Sequence, residues 1–319
     1  MNEFSLIEEF FADCTQKRED VVLAVGDDCA LMTVPSGCEL AVSMDTLVVG
    51  VHFTAEADPA ALGHKALAVG LSDLAAMGAE PAWATLALTL PEVDRAWLVE
   101  FTQGLSRLAR SYGVQLVGGD TTRGPLAVTM QLHGFVPRGK ALRRDGARPG
   151  DGIYVTGTLG DSGLALRARL EGLPLSQETL CCVEHRLDWP QPRVREALAI
   201  RPFAHAAIDI SDGLAADLGH ILKGSGVGAA VEVEALPLSE SLRASVELDQ
   251  AWALALTAGD DYELCVTVPA KYRDRIRAVL SALDCPCALI GTIEEEPGFR
   301  CRRQNGASFI PQQQGYRHF

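Results

Sequence analysis

The stretch that organises this chain is PAALGHKALAVGLSDLAAM, residues 59–77. Asp58 supplies a helix cap, Pro59 a favoured first-turn residue, and Gly78 a stop signal. Apolar residues recur through it at helical spacing, and Asp73 falls on their face. Burying an ionised carboxylate is unfavourable unless it is paired or binds a metal. The stretch therefore predicts a buried helix whose apolar face presents a carboxylate to a cation.

The segments around this helix alternate between strand and helix patterns. A short amphipathic helix is expected over 1–13, and a second long helix from Asp94 to Gly113. Strands are expected at 21–25, 39–44, 82–90, 114–117, 126–136, 153–157, 229–233, 264–268 and 288–292. Further helices are expected near 161–171, 191–200 and 213–223, and an irregular tail from 297. The order predicts an α/β (α+β) fold.

A basic stretch containing glycine and proline, residues 138–150, separates two halves of this pattern. Its composition is typical of a domain junction, and 319 residues favour two domains. We expect an N-terminal domain over 1–138 and a C-terminal domain over 139–319.

Six short apolar runs each end on aspartate. They are VVLAVGDD (21–28), LAVSMD (40–45), LAVGLSD (67–73), VQLVGGD (114–120), AAIDISD (206–212) and ALTAGDD (255–261). Each one taken singly is explained by a solvated turn or a helix cap. Taken together they indicate one shared acidic site, and oxygen-only ligands favour Mg²⁺ over Zn²⁺.

Charge and composition exclude several classes of protein. The formal net charge is −14, from 42 acidic and 28 basic residues, which opposes binding to nucleic acid or anionic membranes. Nine cysteines without a CxxC pair indicate neither a zinc site nor a disulfide framework. The N-terminal residues are acidic rather than signal-like, and no apolar stretch approaches about 20 residues. We expect a cytoplasmic protein.

The common nucleotide-binding motifs are not found in this sequence. The P-loop pattern GxxxxGK[ST] is missing, and the GxGxxA match at 224–229 follows a helix rather than a strand. The sequence GGDTT at 118–122 follows a strand and fits either a phosphate contact or an ordinary capped turn. Ser211 and Asp212 open a helix, where they fit either a cap or a cation and phosphate site.

The basic segment 138–148 stands out in so acidic a chain and supplies positive charge for phosphates, unless it is a solvated loop. His52 fits either a phosphate donor or a packed side chain. These residues predict an acidic α/β enzyme that binds several Mg²⁺ ions and a phosphorylated ligand. Phosphoryl transfer needs mainly alignment and charge neutralisation, which such a site provides.

An ordered series of motifs closely resembles the bacterial thiamine-monophosphate kinase family, within the aminoimidazole ribonucleotide synthetase-like superfamily. The series is FSLIEEFF, VGDDCAL, SMDTLVVGVHF, KALAVGLSDLAAMGAEPAW, QLVGGDTTRGPL, IDISDGLAADLGHI and GDDYELC. The resemblance implies a two-domain fold, a homodimer paired through the N-terminal sheets, and a C-terminal domain that completes the site. It also implies direct in-line transfer from ATP to thiamine monophosphate, with several Mg²⁺ ions and without a covalent phosphoenzyme.

The resemblance assigns roles by position. It implies magnesium ligands at Asp28, Ser43, Met44, Asp45, Asp73, Asp120, Asp209 and Asp212. It implies ATP contacts at Gly119, Asp120, Arg144 and Ser211. It implies contacts to thiamine monophosphate at His52, Asp260 and Tyr316.

Two positions depart from the family pattern. Met44 stands where threonine is usual, and its thioether is a poor magnesium ligand, so only its backbone carbonyl can serve. Asp260 stands where glutamate is frequent, and its shorter side chain makes that contact less direct. Two other functions stay open on the sequence. One is another ATP-using synthetase of the superfamily, and the other is a non-catalytic nucleotide or metal sensor.

Overall fold

A computed structural model describes residues 3–310, which divide into two compact units. The N-terminal unit contains the residues up to 74 together with 79–139, and the C-terminal unit contains 75–78 and the residues from 140 onward.

The N-terminal unit begins with a short helix and a small hairpin, and continues with long strands and helices. Its elements are α1 Glu3–Phe10, β1 Val21–Leu23, β2 Leu31–Met32, β3 Cys38–Val48, α2 Pro59–Ala76, β4 Glu80–Leu90, α3 Arg95–Tyr112, β5 Gln115–Arg123 and β6 Ala127–Pro137. Asp58 caps α2 by accepting hydrogen bonds from the amides of Ala60 and Ala61, and Asp94 caps α3 in the same way. The two long predicted helices are therefore confirmed together with their caps.

A four-stranded sheet in the order β3-β6-β4-β5 forms the centre of this unit. β3 and β4 flank β6 antiparallel, whereas β5 runs parallel to β4 after the α3 crossover. One face is buried, and Gly70 of α2 lies so close to Leu132 of β6 that a Cβ would meet its side chain at 2.6 Å. On the other face Trp83 and Phe135 pack with residues of the β1–β2 hairpin.

The C-terminal unit has a mixed sheet with helices. Its elements are β7 Gly152–Thr156, α4 Asp161–Glu171, α5 Gln177–Asp188, α6 Val194–Ile200, β8 Ala206–Ile210, α7 Leu214–Ser225, β9 Gly228–Glu232, α8 Glu240–Ser245, α9 Leu248–Thr257, β10 Glu263–Val268, α10 Arg273–Ser281, β11 Cys287–Glu294 and β12 Gly298–Arg302. The six strands follow the order β12-β9-β11-β7-β10-β8. The order places β8, which carries Asp209, at one edge beside β10.

The structure corrects the sequence prediction in three places. Of the two explanations for GGDTT, the capped turn is wrong, because β5 continues through these residues to Arg123. The tail from 297 is not wholly irregular, because β12 pairs parallel with β9. Helices α5, α8, α9 and α10 and strands β2 and β8 were not expected. Most of α9 is the short apolar run 251–256, and such a run does not distinguish a buried helix from a strand.

All nine cysteines lie within the described residues, and each is a free thiol. Burial raises the pKa of the Cys14 thiol to about 11, which keeps it protonated and unreactive. Among residues 3–310, no helix combines the length and the apolar character that crossing a membrane requires.

Candidate functional site

Ser43 and Asp73 are in contact where β3 faces α2 in the N-terminal unit, and Asp45 lies on the same side of β3. The Ser43 hydroxyl donates a hydrogen bond to Oδ2 of Asp73. Asp45 follows Ser43 by two residues and therefore points to the same side of β3. All three side chains are half-buried. Met44 points the opposite way and is 65% exposed, so only its backbone is near this group.

Asp120 lies on the opposite face of the same sheet. Across the sheet, Asp45 pairs with Met130 and Met130 pairs with Leu86, and both of these partners are buried on the face that α2 covers. Asp120 pairs with Ala87, the residue after Leu86, and both Ala87 and Asp120 are exposed. Because neighbouring residues of a strand point to opposite faces, the Asp120 carboxylate projects away from α2. Within one N-terminal unit the structure thus does not bring Asp120 beside Asp45.

Gly119 explains why β5 passes so close to β4 at this point. Its φ is +156°, and a Cβ there would lie 1.8 Å from the carbonyl oxygen of Leu86. Glycine is therefore required next to Asp120.

Asp28 and His52 lie in loops of the N-terminal unit. Asp28 is exposed, and its amide donates to Oδ1 of Asp27 at 2.8 Å. The Val48 amide donates to Nδ1 of His52 at 3.0 Å. An accepting Nδ1 places the ring hydrogen of neutral His52 on Nε2, which makes Nε2 a donor suited to a phosphate oxygen.

In the C-terminal unit, the end of β8 places Asp209, Ser211 and Asp212 next to one another. Asp209 is buried on β8, and Ser211 and Asp212 form the loop that leads into α7. Ser211 is half-buried and Asp212 is exposed. The loop therefore presents a hydroxyl and a carboxylate at the beginning of a helix, where amides also favour anions.

A turn with unusual backbone angles lies beside this loop. Asp260 has φ of +66° and Tyr262 has φ of +48°, a region that side chains rarely adopt. The amide of Asp260 donates to the carbonyl oxygen of Ser211 at 2.9 Å, and the hydroxyl of Tyr262 donates to Oδ1 of Asp260 at 2.9 Å. Such strained residues concentrate at functional sites because their surroundings hold them in place.

Two buried carboxylates hold these segments: Asp217, which the sequence reasoning missed, and Asp261, to which it assigned no role. Oδ2 of Asp217 accepts from the amides of Ser211 and Asp212, each at 3.0 Å. Asp261 accepts from the Gly160 amide and from the Ser162 hydroxyl at 2.8 Å. Burial raises the pKa of Asp217 to about 7 and that of Asp261 to about 8. The available signal was an aspartate inside the apolar stretch LAADLGHI, where a bare carboxylate is unexpected.

Replacing Asp261 with asparagine is expected to change how stability depends on pH. The folded pKa of Asp261 lies above its unfolded value of about 4, so its stabilising effect is full at low pH and is lost as pH rises toward 8. The free energy of unfolding of the wild type, relative to Asp261→Asn, should fall by up to about 1.4 kcal/mol per pH unit between about pH 5 and 8. Urea titrations would measure it, with exposed Asp249→Asn as a control that should follow the wild type. A difference independent of pH would contradict this role.

Glu263 forms a buried ion-pair network directly after this turn. Arg193 bonds both of its carboxylate oxygens at 2.6 Å, and Arg186 bonds Oε1 at 2.8 Å. The hydroxyl of Thr156 donates to Oε2 at 2.7 Å. Burial alone raises the pKa of Glu263, but the hydrogen bonds and charges of the two arginines outweigh it and hold the pKa below its ordinary value. The network anchors β10, from which the turn emerges.

Arg144 lies in the basic loop that precedes β7. Its side chain is exposed, and its carbonyl oxygen accepts from the Ser225 hydroxyl at 3.0 Å. Neighbouring Arg143 is occupied by Asp145, which it bonds through two nitrogens. Of the adjacent arginines, Arg144 is therefore the one available to a phosphate.

The acidic residues do not form a ready-made metal centre within either unit. Across residues 3–310, no three His, Cys, Asp or Glu side chains lie close enough together to hold a metal ion. The Ser43, Asp45 and Asp73 group nevertheless fits Mg²⁺ in kind, since all of its donors are oxygens. Tyr316 lies outside the described residues, so its predicted contact has no structural account.

Comparison with known proteins decides the family. Residues 26–136 match the family model of the AIR synthase related protein N-terminal domain, and 148–304 match that of its C-terminal domain. The chain is 50% identical to the thiamine-monophosphate kinase of Escherichia coli K12 over 320 residues, which is 99% of this chain and 98% of the relative. The chain belongs to the thiamine-monophosphate kinase family.

Solved structures of thiamine-monophosphate kinases agree with the fold. The chain is similar to the Stenotrophomonas maltophilia K279a enzyme, with a TM-score of 0.86 and 47% identity over 89% of this chain and 92% of that one. It is also similar to a structure described as AaThiL complexed with AMPPCP and TMP, with a TM-score of 0.78 and 31% identity over 90% of this chain and 89% of that one. The mixed α/β fold with two synthase-type domains expected from the sequence is confirmed.

Proposed function

We propose that this member of the thiamine-monophosphate kinase family transfers the γ-phosphoryl group of ATP to thiamine monophosphate, giving thiamine diphosphate. The observation that carries the proposal is the oxygen-only group of Ser43, Asp45 and Asp73 in a chain that matches these kinases over nearly its whole length. The solved relative that bears both AMPPCP and TMP supports the same pair of substrates.

The proposed magnesium ligands are all oxygen atoms, as a hard cation prefers. The proposed ligands are Asp28, Ser43, the backbone of Met44, Asp45, Asp73, Asp120, Asp209 and Asp212. When bound, Mg²⁺ neutralises charge on the transferred phosphoryl group and aligns it. The Ser43 hydroxyl orients the carboxylate of Asp73 by its hydrogen bond, which leaves the other Asp73 oxygen for a cation.

The remaining residues bind and align the two substrates. Gly119, Asp120, Arg144 and Ser211 are the proposed ATP contacts, and His52, Asp260 and Tyr316 are the proposed contacts to thiamine monophosphate. The Nε2 hydrogen of His52 is a donor for the substrate phosphate, which then attacks the γ-phosphorus in line. The hydroxyl of Tyr262 donates to Oδ1 of Asp260 and so restrains the orientation of this carboxylate. No protein side chain acts as a nucleophile in this scheme.

An assay with ATP, Mg²⁺ and thiamine monophosphate tests the proposal. We expect thiamine diphosphate and ADP in equal amounts, separated and quantified by chromatography. Failure to form thiamine diphosphate, with turnover of a different phosphorylated or carboxylate substrate, would favour another synthetase of the superfamily. Binding of AMPPCP without turnover of any candidate would favour a sensor. A cytoplasmic location stays a prediction.

We also propose a homodimer formed through the N-terminal sheet. β3 is an 11-residue edge strand, and its outward side chains include Leu40, Val42 and Met44, which are 43, 51 and 65% exposed. An exposed apolar edge of this length favours association unless it is covered. Asp120 lies on the same face of the sheet, so a partner subunit bound to this face would change the surroundings of this predicted ligand.

Val42→Asp is expected to convert the dimer into a monomer, because it places a charge inside the proposed apolar contact. Light scattering coupled to size exclusion would measure the mass. Val99→Asp on α3 is the matched control, since Val99 is 43% exposed and lies away from β3. A wild type that is monomeric, or a Val42→Asp variant that stays dimeric, would contradict the proposed interface.

A further inference from the structure

Asp217 makes an unusual connection for an acidic residue in the first turn of a helix. It is 3% exposed, and its Oδ2 accepts from the amides of Ser211 and Asp212, which precede the α7 cap residue Gly213. An acidic residue in a capping box bonds the amide of the cap residue itself. The bonds made by Asp217 instead fix the loop upstream of the helix.

The same loop is held from its other side by the strained turn. The carbonyl oxygen of Ser211 accepts from the Asp260 amide at 2.9 Å. Gly259 approaches so closely that a Cβ there would lie 2.5 Å from that carbonyl oxygen. The Ser211 residue is therefore clamped at its N–H by Asp217 and at its C=O by Asp260, which leaves its hydroxyl and the Asp212 carboxylate as the outward groups.

We infer that Asp217 is a positioning residue that sets the Ser211–Asp212 loop in the geometry that phosphoryl transfer requires. The inference rests on the proposed function, since that proposal assigns Ser211 to ATP and Asp212 to Mg²⁺. Asp217 acts only through the two backbone amides and touches neither substrate. Its contribution is alignment, and a misplacement of about 1 Å can lower the rate of an enzyme by about 100-fold.

Two substitutions weaken the hydrogen bonds between Asp217 and the two loop amides to different degrees. Asp217→Leu removes both acceptors, and Asp217→Asn keeps one neutral acceptor, whose hydrogen bonds are about half as strong as charge-assisted ones. Asp151→Leu is the matched control, because Asp151 is also buried and bonds the Arg148 amide and His205 elsewhere in the C-terminal unit. Melting temperatures then separate general destabilisation from loss of positioning.

Amide hydrogen exchange in metal-free protein is the first measurement. We expect exchange at the Ser211 and Asp212 amides to be about tenfold faster in Asp217→Leu and about threefold faster in Asp217→Asn, following the lost hydrogen bonds. Asp151→Leu should leave exchange at these two amides unchanged. If the leucine variant fails to fold, the asparagine variant decides, since unchanged exchange in it would overturn the inference.

Kinetics and nucleotide binding complete the test. Asp217→Leu should lower kcat/KM for ATP by about 100-fold and weaken binding of AMPPCP with Mg²⁺, whereas Asp151→Leu should change both by less than about threefold. Equal losses in both variants would mean that Asp217 is only a structural carboxylate. A wild type that lacks kinase activity would refute the proposed function, while the exchange data would still test Asp217.

Discussion

Asp45→Asn is expected to lower kcat by about 1,000-fold while the protein stays folded. Asp45 lies on the α2-facing side of β3, two residues after Ser43, whose hydroxyl bonds Asp73. Its carboxylate therefore adds negative charge on the side of the strand where the proposed magnesium ligands lie. The amide is nearly isosteric but neutral, and it binds Mg²⁺ far less well. Removing one preorganised electrostatic contact to a transition state reduces kcat by about 10²–10³. Steady-state rates at saturating ATP, Mg²⁺ and thiamine monophosphate would measure the loss.

A matched control separates this effect from a general change in charge. Glu100→Gln removes one charge from the exposed surface of α3 and should keep kcat within about twofold. The melting temperature of Asp45→Asn should equal or exceed that of the wild type, because a half-buried carboxylate is neutralised. Near-normal kcat in Asp45→Asn would remove this residue from the proposed magnesium ligands.

Glu263→Ala is expected to be the most destabilising of these substitutions, lowering the free energy of unfolding by about 3–5 kcal/mol. Glu263 is fully buried, and its removal leaves Arg186 and Arg193 without their shared carboxylate. The melting temperature should fall by about 10 °C, measured by calorimetry. Because the arginines hold the pKa of Glu263 below its ordinary value, its stabilising effect exists above the unfolded pKa and is lost as pH falls through the folded pKa.

The control for this prediction is an exposed ion pair. Glu171→Gln interrupts the i,i+4 pair with Arg167 on α4 and should change the free energy of unfolding by less than about 0.5 kcal/mol. If Glu263→Ala had an equally small effect, the buried network would not stabilise the C-terminal unit.

Local patterns predicted the long helices well. Asp58 with Gly78, and Asp94 with Gly113, mark the ends of α2 and α3 because capping is chemistry within a few residues. Strand β12 was missed because its pairing with β9 depends on residues about 70 positions away. The GGDTT segment was misjudged because glycines that usually mark a turn here let β5 approach the Leu86 carbonyl within a sheet.

The candidate site could be anticipated only in part. Carboxylates at the ends of apolar runs were visible in the sequence. In the structure one of them, Asp73, accepts a hydrogen bond from Ser43, another predicted ligand. The opposite orientation of Asp120 was hidden, because it depends on register across four strands rather than on composition. The supporting roles of Asp217 and Asp261 were hidden because both depend on hydrogen bonds to backbone amides, which a linear sequence does not show.

The alternation of side chains along β3 has a consequence for how this gene can vary. Ser43 and Asp45 point to α2, whereas Val42 and Met44 point outward to the proposed partner. A residue inserted or deleted between Cys38 and Ser43 would exchange the two sets, because neighbouring side chains alternate between faces. Homologues should therefore accumulate substitutions along this strand while keeping its length fixed, and a frame-preserving codon deletion there should abolish catalysis and assembly together.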